Sequence, residues 1–299
     1  MERYTIERFH KDFPDDDTCL EWLVNHLYPD GIHCKKCGKV TGHHKISGRR
    51  CYSCAYCGTQ VHPTADTIFH KSDTPLVKWF YAVYRMSSTR CGISAKQLQR
   101  ELGVTYKTAW RMAQQIRNML KEDVGKLSGE VEMDETYIGG KRSGGKRGRG
   151  APGKTIVAGA VQRGKDSTSK IVAKTVPDVK GKTLMPMMKE FVLPQSMVYT
   201  DELLSYRKAE SAGYQHRRVH HNQKVFVIGN AHTNTIENFW SQFKRSIDGT
   251  HHVLSKKYLQ RYLDEFTFRY NHRADRQNLF TSWLKQVYKA PEMTCPKLP

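Results

Sequence analysis

Three acidic residues stand where a protein of sheets and helices puts its chemistry. Asp134 lies within VEMDETYIGG, a strand pattern that runs into Gly139-Gly140, Asp201 ends the strand pattern MVYTD, and Glu237 sits in the helical stretch HTNTIENFWSQFK. Carboxylates at strand ends are where an α/β sheet places active sites. Taken one at a time, each is more often a solvated surface acid. On the helix, Ile236, Trp240, Phe243 and Ile247 recur at steps that make one buried stripe. Glu237, Ser241 and Lys244 repeat that interval one residue over, so an acid and a base stand two turns apart on a neighbouring face. If the acid holds a metal ion, the lysine reaches a neighbouring phosphate. An ordinary surface pair at this spacing is the plain alternative.

A second chemistry is written in cysteine. Cys34-Lys-Lys-Cys37-Gly and Cys54-Ala-Tyr-Cys57-Gly are two C-x-x-C turns, each followed by glycine, with 16 residues between them. Thiolates from two such turns close a tetrahedron around zinc, and the spacing matches a four-cysteine zinc ribbon. Cys51 leaves an alternative open, since it could replace Cys54 as a ligand. His43, His44, Lys45, Arg49 and Arg50 between the turns make the ribbon surface basic, which suits DNA. Cys19, Cys91 and Cys295 read as free thiols.

The elements that must carry these residues follow from periodicity. Asp15, Asp16 and Asp17 offer caps for a short helix with Leu20, Leu23 and Leu27, expected to pack on the ribbon. Thr74-Pro75 reads as an N-cap followed by proline at the first helical position, opening a helix through Trp79, Phe80, Val83 and Tyr84. From Ile93 to Leu120 two helices are separated by Leu102-Gly103-Val104, the second opening at Thr105 with a buried stripe of Ala109, Met112, Ala113, Ile116 and Leu120. Lys107, Arg111, Gln114 and Asn118 fall on another face, able to meet base edges or phosphates, as in a helix-turn-helix. From about Val131 the texture becomes α/β, with strand patterns at 155 to 161, 170 to 176 and 197 to 200. An amphipathic helix from about Lys256 to Tyr270, and a further short one around Trp283, Leu284 and Val287, are expected to pack on this sheet. Tyr137, Tyr199 and Tyr206 read as strand and core aromatics, and His232 either orients a phosphate or water or is hydrogen-bonded in a structural role.

The chain has 299 residues, enough for two or three small domains. With 49 Lys+Arg against 29 Asp+Glu it carries a formal charge of +20, which makes a polyanion its natural partner. No apolar run approaches a membrane span and the N-terminal MERYTIERFHKDFPDDD lacks the apolar stretch of a signal peptide, so the expected polyanion is nucleic acid and no membrane is expected. The Gly-rich stretch KRSGGKRGRGAPGK holds Lys141, Arg142, Lys146, Arg147 and Arg149, a solvated loop that could order on phosphates.

Taken in order, DETYIGGKR, the basic loop, VYTDELLSY and HTNTIENFWSQFKR, behind a zinc ribbon and a helix-turn-helix, closely resemble the transposases of a bacterial insertion-sequence group related to the Merlin DNA transposons. The likeness runs from about Phe13 to Tyr270, with 67 residues from Asp134 to Asp201 and 36 from Asp201 to Glu237. It implies a ribonuclease-H-like catalytic domain, a mixed sheet with flanking helices, and a DDE triad on Asp134, Asp201 and Glu237 followed by the basic Lys244. The expected divisions are an N-terminal helix and ribbon at 1–70, a helix-turn-helix at 71–125, the catalytic domain at 126–275 and a helical tail at 276–299. Cys34, Cys37, Cys54 and Cys57 would hold structural Zn²⁺, and the triad would hold catalytic Mg²⁺ or Mn²⁺, hard cations that suit oxygen ligands. The expected partners are double-stranded DNA, as terminal inverted repeats and target, and a second copy of the chain or a higher oligomer on that DNA. The expected setting is the cytoplasm of a bacterium, at the nucleoid. Two rivals remain: a DNA-binding regulator that keeps the fold without turnover, and a structure-specific nuclease that cuts without strand transfer.

Overall fold

The computed structural model describes residues 4–139, 153–164, 168–201, 204–219, 232–275 and 278–288. The contacts divide the chain into two compact units, Met1–Met119 with Asp275–Pro299, and Leu120–Ala274.

In the first unit, α1 (Ile6–Asp12) and α2 (Asp16–Leu27) are capped by Thr5 and Asp15, whose side chains accept N–H groups of the first turns. The ribbon is a small antiparallel sheet of β1 (His43–Lys45), β2 (Tyr52–Cys54) and β3 (Gln60–Val61). Helix α3 (Leu76–Ser88) begins one residue later than the Thr74-Pro75 pattern suggests, with Pro75 itself in the cap position. Proline offers no side-chain acceptor, and Asp16 Oδ1 takes the Val77 N–H at 3.0 Å instead. The same Asp16 carboxylate accepts from Arg50 at 2.9 Å, and Arg50 also donates to the carbonyls of Ser72 and Thr74. Arg50 is therefore engaged inside the protein, where the sequence pattern set it on a basic face.

Helices α4 (Ala95–Leu102) and α5 (Tyr106–Met119) form the helix-turn-helix. Ser94 caps α4, and the turn is made by Gly103 at φ 59°, a left-handed conformation that a Cβ would strain. The stripe Ala109, Met112, Ala113, Ile116 is buried. The last helix, α9 (Leu279–Leu284), packs on α3 within the first unit, whereas its apolar pattern was expected to serve the α/β sheet. The reason is aromatic: Phe280 meets Phe9, Phe13 and Tyr84 at centroid separations of 5.8 to 5.9 Å, in edge-on geometry.

The second unit holds a five-stranded sheet of β4 (Glu130–Ile138), β5 (Thr155–Gln162), β6 (Lys170–Val176), β7 (Met197–Thr200) and β8 (Gln215–Arg218) in the order β6-β5-β4-β7-β8. The first three form an antiparallel meander, while β7 and β8 run parallel to β4. That is the ribonuclease-H-like mixed sheet. The parallel return from β6 to β7 is made through α6 (Gly181–Phe191), as a parallel crossover demands. Side chains alternate across the sheet. Val131 and Met133 of β4 join Ala158 and Ala160 of β5 in a core closed by Leu184, Met187 and Met188 of α6. The even-numbered residues of β4 face the other way, toward α7 (Asn234–Ser246). Helix α8 (Leu259–Asn271) covers the free edge of β6: Gln260 accepts the Thr175 N–H and donates to the Ala173 carbonyl, and Asn271 does the same for Ile171.

Candidate metal sites

The zinc ribbon is built by two copies of one turn. In each, the glycine after the second cysteine donates its N–H to the carbonyl of the first, Gly38 to Cys34 and Gly58 to Cys54, both at 2.9 Å. Both glycines have positive φ, 67° and 72°, which explains why glycine follows each pair. The Sγ atoms of Cys34, Cys37, Cys54 and Cys57 lie within 4.8 Å of one another. Cys34 and Cys57 are 3.5 Å apart and Cys37 and Cys54 3.9 Å, against about 3.8 Å for tetrahedral ligands with bonds of about 2.3 Å. The Thr41 hydroxyl, 3.3 Å from Cys54 Sγ, holds that thiol down at about 6, toward the thiolate that zinc takes. Cys51 points elsewhere: it is fully buried and its Sγ is 3.9 Å from Gln60 Oε1. The four cysteines fit Zn²⁺.

The carboxylates are brought together by strand register. Glu132 of β4 pairs with Tyr199 of the parallel β7. Extending that pairing by two residues sets Asp134 beside Asp201, which directly follows β7, on the same face of the sheet. On the other side Asp134 pairs with Gly159 of β5. Gly159 matters because Trp240 of α7 lies over it: a Cβ there would stand 2.9 Å from the indole. The absent side chain lets α7 lie close on the face that carries Asp134. Glu237, one turn before Trp240, is exposed, and its Oε1 accepts a hydrogen bond of 2.7 Å from Thr233 Oγ1.

Electrostatics ties these residues together. Burial pushes the Asp134 carboxyl up from 3.8 to about 7, against the backbone hydrogen bond at Glu135 that lowers it. The negative charges of Asp201 and Glu237 raise it further, and Lys244 opposes them. Among the described residues the four cysteines are the one group of three or more His, Cys, Asp or Glu placed to hold a metal ion. A half-buried acid facing two other carboxylates is a donor set of hard oxygens whose repulsion a divalent cation relieves, and it fits such an ion. Tyr206, fully buried beneath the sheet and donating to Glu135, and Tyr199, donating to Glu130 at 3.2 Å, are core aromatics.

One group of residues escaped the sequence reading. Glu132, with no exposed surface, accepts the N–H groups of Thr235 and Ile236 at 2.9 and 3.0 Å, the Thr235 hydroxyl at 2.8 Å and Arg163 Nε at 2.7 Å. Arg163 also donates to the His232 carbonyl at 2.6 Å and lies 4.0 Å from the centre of the Tyr199 ring. His232 therefore takes the structural reading, its Nδ1 3.2 Å from Glu132. The available signal was phase: Glu132 is two residues before Asp134, on the same face.

The proposed DNA face of α5 is only partly open. Lys107 is exposed, Asn118 is half-buried, and Arg111 is half-buried and donates to Ser72 Oγ at 3.2 Å. Gln114 is a correction: only 1 % exposed, it is enclosed with its neighbours Met112 to Arg117 and stands on no wet face. Lys141, Arg142, Lys146, Arg147 and Arg149 lie outside the described residues.

Comparison with known proteins agrees with this architecture. Residues 126–271 match the ISXO2-like transposase domain and residues 14–60 match the transposase zinc-ribbon domain. An uncharacterized protein in transposable element ISH50 of Halobacterium salinarum is 28 % identical over 278 residues, 87 % of this chain and 92 % of that one. An uncharacterized transposase-like protein of Haemophilus influenzae is 32 % identical over 120 residues, 40 % of this chain and 94 % of its own length. Among solved structures, the Mos1 strand transfer complex aligns over 72 % of this chain and 78 % of that one at 12 % identity and a TM-score of 0.28, so the fold rests on sheet order and not on superposition. With ribbon and catalytic-domain matches in the expected order, the chain belongs to the ISXO2-like transposase family.

Proposed function

We propose that this DNA transposase binds the terminal inverted repeats of an insertion sequence through its ribbon and helix-turn-helix, and cuts and joins DNA with Asp134, Asp201 and Glu237. The observation that supports this best is the register that sets Asp134 beside Asp201 on the face covered by α7. In this reading Asp134, Asp201 and Glu237 would hold Mg²⁺ or Mn²⁺, hard cations that suit their oxygens. A pair of such cations, when bound, activates the attacking oxygen and stabilises the leaving one. The chain's own part is to supply few, hard ligands, to hold the Glu237 carboxylate through the Thr233 hydroxyl, and to present Lys244 for a phosphate of the same strand. Water attacks first at the element's end and frees a 3′-hydroxyl, which then attacks target DNA at the same site. No covalent protein–DNA intermediate is needed. Two ends handled together call for at least two copies of the chain.

The test is to incubate the purified chain with a labelled terminal-repeat duplex and Mg²⁺ or Mn²⁺, and to follow both end cleavage and joining of a 3′-hydroxyl end to plasmid. Asp134→Asn and Glu237→Gln are expected to abolish both while leaving binding intact. Binding without cleavage by the unaltered chain would instead establish a regulator, and cleavage of junctions without joining a structure-specific nuclease.

A further inference from the structure

Helix α7 carries Glu237 in its first turn, yet its own cap residue, Thr233, makes no capping hydrogen bond. The Thr233 hydroxyl instead donates to Glu237. The capping task has passed to a residue of another element: the Glu132 carboxylate of β4 takes the N–H groups of Thr235 and Ile236. A carboxylate at a helix N-terminus is favoured by the unpaired N–H groups and the helix dipole. Here it is fully buried, which is tolerable because Arg163 Nε and the Thr235 hydroxyl satisfy it as well.

We propose that Glu132 is a positioning residue for the catalytic metal site: by capping α7 from β4, two residues before Asp134, it sets where Glu237 stands relative to the two aspartates. The inference rests on the metal-binding reading of the triad. Glu132 fixes both halves of the site at once, because the strand that carries it carries Asp134 and the helix turn it binds carries Glu237. Arg163 locks the arrangement from the end of β5, joining Glu130 and Glu132 to the carbonyl of His232 just before the helix. A half-docked α7 strips the buried Glu132 carboxylate of the three hydrogen bonds that Thr235 and Ile236 give it and leaves it with Arg163, so the docked position is preferred.

The experiment measures Mn²⁺ affinity of the zinc-loaded full chain by calorimetry, together with amide exchange in the first turn of α7. Glu132→Gln is expected to weaken Mn²⁺ binding about 10- to 100-fold, the range found for residues that orient metal ligands, and to speed exchange at Thr235 and Ile236. Thr235→Val, which removes one hydroxyl from Glu132 and keeps the side-chain shape, is expected to give a smaller loss in the same direction, and it decides the matter if Glu132→Gln fails to fold. Wild-type Mn²⁺ affinity in the folded variants overturns the proposal, whatever happens to melting temperature. Glu237→Gln separates the two failures: if it loses Mn²⁺ while Glu132→Gln does not, positioning alone is wrong, and if it keeps Mn²⁺ the metal-site reading falls and takes this proposal with it.

Discussion

Asp134→Asn should stabilise the chain when no Mg²⁺ or Mn²⁺ is present, and only above acid pH. Burial raises the Asp134 carboxyl from 3.8 to about 7 in the folded chain. Between those values the folded protein holds a proton that the unfolded chain has released, so stability falls as pH rises through this window and the full penalty is present above about 7. Three powers of ten in proton affinity correspond to roughly 4 kcal/mol at about 1.4 kcal/mol each. Asp134 is partly open to water, so about half of this, ~2 kcal/mol, is expected in practice. Asparagine is neutral in both states and still accepts a backbone N–H. For a unit of this size, at about 2 to 4 °C for each kcal/mol, the melting temperature should rise by roughly 4 to 8 °C. The assay is thermal unfolding of zinc-loaded wild type and variant at a series of pH values. The advantage should be absent near about pH 4, grow toward neutrality, level off above about 7, and shrink when millimolar Mg²⁺ binds the wild type alone. An advantage that does not vary with pH, or a wild type more stable than the variant in alkaline buffer, refutes the reasoning.

Gly159→Ala should cost about 1 to 3 kcal/mol, because its methyl group meets the Trp240 ring at 2.9 Å, and should weaken Mn²⁺ binding without altering a ligand; unchanged unfolding and affinity would place α7 elsewhere. Metal analysis should find one zinc per chain in Cys51→Ser and none in Cys54→Ser, the reverse result making Cys51 the ligand. Lys107→Ala should weaken DNA binding and lower the slope of log affinity against log salt by about one, whereas Gln114→Ala should leave that slope unchanged and act on stability; a change of slope in Gln114→Ala would mean its side chain reaches the DNA.

Much of the catalytic unit was legible because its strands state their own period. TIVAGAV and KIVAKTV became β5 and β6, and Ile236, Trp240 and Phe243 became the buried side of α7, with Ile247 buried just beyond its end. The polar edge strand β8, QHRR, carries no apolar alternation and gave no signal. Glu132 was missed for a related reason. In VEMDETYI the residues Glu132, Asp134 and Thr136 make one polar face, and nothing local marks that face as buried; a helix about 100 residues further along covers it, and its first N–H groups make a buried acid favourable there. Gln114 failed in the opposite direction: period alone put it on an open face, and enclosure of α5 from Met112 to Arg117 is a property of what surrounds the helix, which its own sequence does not encode.

The side chains of Gln260 and Asn271 occupy the positions along β6 that a further strand would use, offering donor and acceptor to Ile171, Ala173 and Thr175 in turn. A neighbouring strand therefore meets backbone groups that are already engaged, which works against a continuous sheet growing outward from that border. If copies of this protein gather around two DNA termini, their mutual grip must come from surfaces other than that border, or from the nucleic acid they share.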